Sequence, residues 1–291
     1  MAAFIDRRTM LAGVAGMGFF SFLPTSRGAM MAQDFSHLAP EQRARAEAMH
    51  MRMMAALSYE RVTVAGADAL AEWERLRSAG RGWPIVVGDD DALERIADQF
   101  SMADPQVSGS SILPAPRVPA EIIAAAARLR FPADLARWPG AYGEGDLRSP
   151  VGEWPEGGMD DAAEQDGLTV ARNVLTDQAF ERVHILLIPT RNGWEAPAYL
   201  RWGDWNACPP PEYHVAALRS WHERYGTVVV GINGDTMNLR AARRPAGRDE
   251  ALALAREQYR YCPDIVDQGS GTISALAAQL MSSDWWYFWW D

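Results

Sequence analysis

Residues 283–291 read SDWWYFWWD, with six aromatic rings in a row at Trp285, Trp286, Tyr287, Phe288, Trp289 and Trp290. In a strand, neighbouring side chains point to opposite faces. Trp285, Tyr287 and Trp289 then share one face, and Trp286, Phe288 and Trp290 share the other. Both sets are large and apolar. The stretch therefore predicts a closing strand covered on both sides, rather than an open ligand wall. Asp291 follows it, and its charge calls for an arginine or for water.

Working back from that tail, regular patterns alternate. RVHILLIPT (182–190) is a continuous apolar run and predicts a buried strand. APAYLRW (196–202) alternates and predicts its hairpin partner across Arg191-Asn192-Gly193-Trp194. PPEYHVAALRSWHERYG (210–226) has proline at its start and Gly226 at its end, the punctuation of a helix. TVVVGIN and TMNLRAA flank Gly234-Asp235 as a second pair of strands. Helices are expected over 248–261 and 272–283. The order ββ-α-ββ-α-α-β predicts an α+β domain, a mostly antiparallel sheet with helices packed on one face.

The first half is sparser, a smaller α/β region. Ser36 to Leu57 shows helical spacing, with Ser36 as the cap and Met49 and Met53 as core filler. A second helix spans about 67–78. WPIVVG (83–88) is a short buried strand, and Asp89, Asp90 and Asp91 suit the positive end of the helix that follows. From about 103 to 170 the chain is rich in Pro, Gly and acid, interrupted by one helix over 119–130. A domain boundary is placed near 170, giving segments 1–32, 33–170 and 171–291.

Charge and composition narrow the functions. The net charge is −10, which argues against nucleic acid or an anionic membrane as the main partner. All 28 basic residues are Arg. Without Lys there is no Schiff base and no Lys-containing phosphate loop. The sequence calls for no cofactor and no metal. At the start, Arg7-Arg8 precedes a short apolar run, Leu11 to Leu23, and then small residues. That is the build of a twin-arginine export signal, too short for a spanning helix of about 20 residues. The expectation is a periplasmic or secreted protein starting near Gln33, with no stable membrane span. The alternative is anchoring by an uncleaved signal.

Four stretches, AYLRWGDWNACPPPE, LRSWHERYG, EALALAREQYRYCPDIVDQG and WYFWWD, together resemble a bacterial family known as domain of unknown function 4253. The resemblance covers about 183–291. PIVVGDDDALERI resembles a companion region of that domain, and ARRPAG departs from relatives that carry two prolines there. The resemblance implies a fold unit and no activity.

The chemistry-bearing residues lie mostly in those stretches. Cys208 and Cys262 each precede proline, where the chain is extended or turning. Three readings stay open: a Cys208–Cys262 disulfide, inert thiols, or a catalytic thiol paired with His214 or His222. His214 falls on the helical stripe that meets the sheet and reads as a buried histidine. His222, beside it, is the stronger functional candidate. CPDIVDQG gathers Asp264, Asp267 and Gln268 after a helix, with Glu257 one or two turns earlier and Asn206 beside Cys208. Such acids and amides suit a polar ligand, or they cap the next turn. The clustered Trp and Tyr suit a protein, a peptide or a small polar ligand. The functional expectation is an exported, non-enzymatic binding or interaction module. The alternative is a small hydrolase using Cys262 or Asp264 with a histidine.

Overall fold

The computed structural model describes residues 35–102, 104–105, 116–138, 140–141, 145–155 and 167–291. Among them one six-stranded sheet runs in the order β1-β3-β2-β4-β5-β6. Its strands are β1 (Glu60–Val64), β2 (Trp83–Gly88), β3 (Val183–Ile188), β4 (Val228–Ile232), β5 (Thr236–Arg240) and β6 (Trp285–Trp289). Neighbours are antiparallel except β2 and β4, which run parallel and meet at Val86 and Gly231. The helices are α1 (Pro40–Ala56), α2 (Ala69–Ala79), α3 (Asp90–Met102), α4 (Pro119–Ala126), α5 (Ala196–Leu200), α6 (Pro211–Tyr225), α7 (Arg248–Tyr261) and α8 (Ile273–Ser282). The class is α+β, a mostly antiparallel sheet with helices packed on it.

Alternation along β3 decides what each face meets. Leu186 and Ile188 face the larger core, with α3, α6, α7 and α8. Val183, Ile185 and Leu187 face a smaller core with Trp73 and Leu76 of α2. Helices therefore cover both faces of the centre, not one. All six β3 residues are buried, and burial of apolar surface on this scale is the main force holding the layers together.

The boundary placed near residue 170 is not a break in the fold. β1 and β2 precede it, β3 to β6 follow it, and all six share the sheet. Asp34–Asp291 forms one compact unit. β1 was not foreseen. It takes the place beside β3 that the expected hairpin partner at 196–202 was to fill. The chain instead forms a 3-10 turn, Gly193–Glu195, and then α5 across the expected strand. Pro197 sits in the first turn of α5, where its missing N–H costs nothing, whereas in a ladder it would. Glu195 accepts from Asn192 Nδ2 at 3.0 Å and from the Thr190 hydroxyl at 2.5 Å, which fixes the turn. Helix α1 begins at Pro40 after Ala39, not at Ser36. Met49 is 45% exposed, so only Met53 and its neighbour Met54 fill the core there. Asp89 caps α3, its Oδ1 accepting from the Ala92 N–H at 3.0 Å. No helix among the described residues is long and apolar enough to cross a membrane. Arg7, Arg8 and the apolar run after them lie outside the described residues.

The aromatic tail forms β6, and β6 is an edge strand paired only with β5. Trp286, Phe288 and Trp290 are buried, with Phe288 at 0% exposure. Trp285 and Trp289 are half-buried and Tyr287 is 43% exposed. The expectation of cover on both faces is corrected: one face locks the core and the other is partly open. Phe288 stacks on Trp221 of α6, centroids 5.2 Å apart and planes 6° off parallel.

Candidate functional site

The outer edge of β6 runs beside the connection between α7 and α8. Pro263 disfavours helix at the residue before it, so Cys262 is extended and α7 stops at Tyr261. The chain then makes a π-helical turn, Ile265–Ser270. Such wide turns are rare and recur at functional sites. Gly271 ends it at φ +73°, a left-handed conformation that glycine adopts without steric cost. Thr272 caps α8 by accepting from the Ala275 N–H at 3.1 Å.

This connection, not another strand, ties down the outer edge of β6. Cys262 Sγ donates to the Trp289 carbonyl at 2.9 Å. Asp264 Oδ2 accepts from the Asp291 N–H at 3.1 Å. Asn206 Nδ2, from the loop before α6, donates to the Asp291 carbonyl at 2.8 Å. An edge strand with unpaired backbone invites association with other chains, and these contacts close part of it.

Between β6, the π-helical turn and α8 lies a cleft of about 350 Å³. Trp285, Trp286, Tyr287 and Trp289 of β6 form one wall. Asp264, Gln268, Gln279 and Gln258 supply its polar groups. Asp264 is only 3% exposed and has no ion-pair partner among the described residues. Its other oxygen, Oδ1, accepts from Gln268 Nε2 at 3.0 Å. Two buried donors of lining residues, Gln258 Nε2 and Trp286 Nε1, have no hydrogen-bond partner. A buried donor left unpaired costs about 1–3 kcal/mol, which an acceptor brought to it would recover.

The remaining expected residues divide. Cys208 and Cys262 are free buried thiols, so the bridge between them is not made. Cys208 Sγ lies 3.3 Å from His214 Nε2, and His214 Nδ1 is hydrogen-bonded to the Tyr261 hydroxyl. Burial pushes both thiols well above their ordinary value, so neither is a thiolate at neutral pH. Burial also pulls His214 down to about 3, and the imidazole stays neutral. Gly203 reaches over it: a Cβ there would sit 2.7 Å from His214 Nε2. His222 is elsewhere, donating to the Thr227 carbonyl at 2.7 Å with its ring 4.5 Å from that of Trp194. Glu257 accepts from Trp221 Nε1 at 2.5 Å and pairs with Arg224, fastening α6 to α7. Asp267 accepts from the hydroxyls of Ser149 and Tyr259, each at 2.6 Å. The fold thus gathers Cys262, Asp264 and Gln268 at one edge, with Asn206 meeting them through Asp291. It leaves His222 and Glu257 out.

A second polar string was not foreseen. His184 Nε2 is 2.8 Å from Asp90 Oδ1, and its Nδ1 is 3.1 Å from the Thr63 hydroxyl. Arg182 pairs with the same aspartate. Only the odd polar residue in RVHILLIPT signals it. Gln258 and Gln279 were also missed, because each is an ordinary amide on a helix.

Residues 184–291 match a family model described as a domain of unknown function, DUF4253. The C-terminal region belongs to the DUF4253 family. The match begins inside β3 and ends with the aromatic tail, so every residue lining the cleft lies within the DUF4253 region. That region supplies β3 to β6, while β1 and β2 come from the chain before it. The family description names no activity. No curated protein and no solved structure matches the chain.

Proposed function

We propose that the protein is a non-enzymatic binding module whose ligand site is the cleft between β6, the π-helical turn and α8. The observation that carries the reading is Asp264: a buried carboxylate without a cation, at the wall of a cleft with half-exposed aromatic rings. Concave sites with aromatic walls and a few fixed polar groups are the usual form of small-ligand sites. The hydrolase reading has weaker support. Cys262 donates a hydrogen bond to a backbone carbonyl and burial holds it as a thiol. A nucleophile needs a base within hydrogen-bond reach, and no histidine lies within that reach of Cys262 or Asp264 among the described residues. The proposal includes export, and Arg7-Arg8 with the apolar run after it is its support.

The test is equilibrium binding of small polar ligands to the purified chain, beside Tyr287→Ala and Gln279→Ala. Both side chains line the cleft and neither is buried. Binding that these variants weaken supports the module. Binding indifferent to both, or chemical turnover of the ligand, contradicts it.

A further inference from the structure

The chemistry of the cleft wall narrows what it can hold. Asp264 is the one charged residue among the described lining residues, and the arginine over the Trp285 ring, Arg240, is already paired with Asp284 and Glu74. An anion such as phosphate would sit beside an uncompensated buried carboxylate, where repulsion is strong at low dielectric. A zwitterionic amino acid would bring a carboxylate with no cation to receive it. An organic cation suits aromatic rings and an acid. Yet both Asp264 oxygens already accept hydrogen bonds, and a cation offers nothing to the unpaired Gln258 and Trp286 N–H groups. An extended peptide would add to the open edge of β6. That edge is already engaged at the Trp289 carbonyl and the Asp291 N–H.

What remains is a neutral molecule that both gives and takes hydrogen bonds at close spacing and also has an apolar face. We infer that the cleft takes a saccharide, an inference that rests on the binding-module reading. Each sugar hydroxyl is one donor and two acceptors. It matches the side-chain amides of Gln258, Gln268 and Gln279, each of which also gives and takes. The C–H face of a sugar ring lies flat on an aromatic side chain, and Trp285, Tyr287 and Trp289 present such surface. The volume of about 350 Å³ is small for a ligand pocket. Pockets usually span roughly 300–1,000 Å³, so a monosaccharide or disaccharide fits better than a long glycan chain.

The experiment titrates the purified full chain with glucose, galactose, N-acetylglucosamine, maltose and cellobiose. Choline, inorganic phosphate, glycine and triglycine are run in parallel, and heat and tryptophan emission are read. The expected result is binding of at least one sugar, weakened tenfold or more by Tyr287→Ala and by Gln279→Ala. Met51→Ala, on an exposed side chain of α1, leaves it unchanged. Circular dichroism of each variant checks the fold. If no sugar binds but choline, phosphate or a peptide does, with the same sensitivity to the two cleft variants, the saccharide inference is overturned and the module stands. Sugar binding unaffected by both variants overturns the saccharide site. Binding of none of these probes overturns both.

Discussion

Gln268 Nε2 donates to Asp264 Oδ1 at 3.0 Å, and through the other oxygen of that carboxylate the π-helical turn holds the end of β6. One side chain thus joins the wall of the cleft to the strand that closes the sheet. Site and fold are coupled at this residue, and several expectations come from the coupling.

Asp264→Ala leaves the Gln268 amide and the Asp291 N–H without their acceptor, at two part-buried hydrogen bonds. Hydrogen bonds to a charged group contribute about 1.5–3 kcal/mol. Urea denaturation should show a loss of that order. Gln268→Ala removes one bond and exposes nothing large, so it should cost less.

The two faces of β6 should differ sharply. Phe288→Ala empties a fully buried site stacked on Trp221, and such truncations cost about 3–5 kcal/mol. Tyr287→Ala, on the half-open face, should stay within about 1 kcal/mol of the parent. Equal losses at both positions would contradict the assignment of faces.

Denaturation without reductant should release two reactive thiols. In the native state both should react slowly with a thiol reagent, because Cys208 and Cys262 are buried and protonated. A count of zero would mean that the chain closes a disulfide after all.

Acid should destabilise the protein through His214. Its folded value is about 3 against an ordinary 6.5, so between those limits the unfolded chain binds the proton that the folded chain refuses. Stability is therefore full above about pH 6.5 and falls as pH drops toward 3. Each tenfold difference in proton affinity between the folded and unfolded chain corresponds to about 1.4 kcal/mol. His184, also pulled down by burial, adds a contribution of the same sign. His214→Gln should flatten the stability curve across that window, measured by denaturation at several pH values.

Replacing Arg7 and Arg8 by Lys in a reporter fusion should block export and leave the precursor inside the cell. Unchanged export would count against the twin-arginine reading.

Much of the fold was legible because its signals are local. Gly226 and the prolines before Glu212 bracket α6, and the apolar runs at 83–88 and 183–188 are continuous enough to mark buried strands. APAYLRW misled because it alternates like a strand, while Pro197 and the Asn192–Glu195 turn favour a helix. β1 was missed because ERVTV is half polar, as an edge strand with one exposed side is. The site was half legible. Asp264 and Gln268 are neighbours in sequence and stay neighbours in space. Gln258, Gln279 and the string of Thr63, His184 and Asp90 depend on which helix faces which strand, and no local pattern carries that. The rings of β6 were legible as a strand, but their unequal exposure depends on the place of β6 at the edge of the sheet.

The most direct measurement is the set of indole N–H resonances of the tryptophans during titration with a sugar that binds. The signals of Trp285, Trp286 and Trp289, around the cleft, should shift together and saturably, while those of Trp73 and Trp221 in the cores stay still. Shifts confined to Trp194 beside His222, or none on binding, would contradict a ligand site at β6.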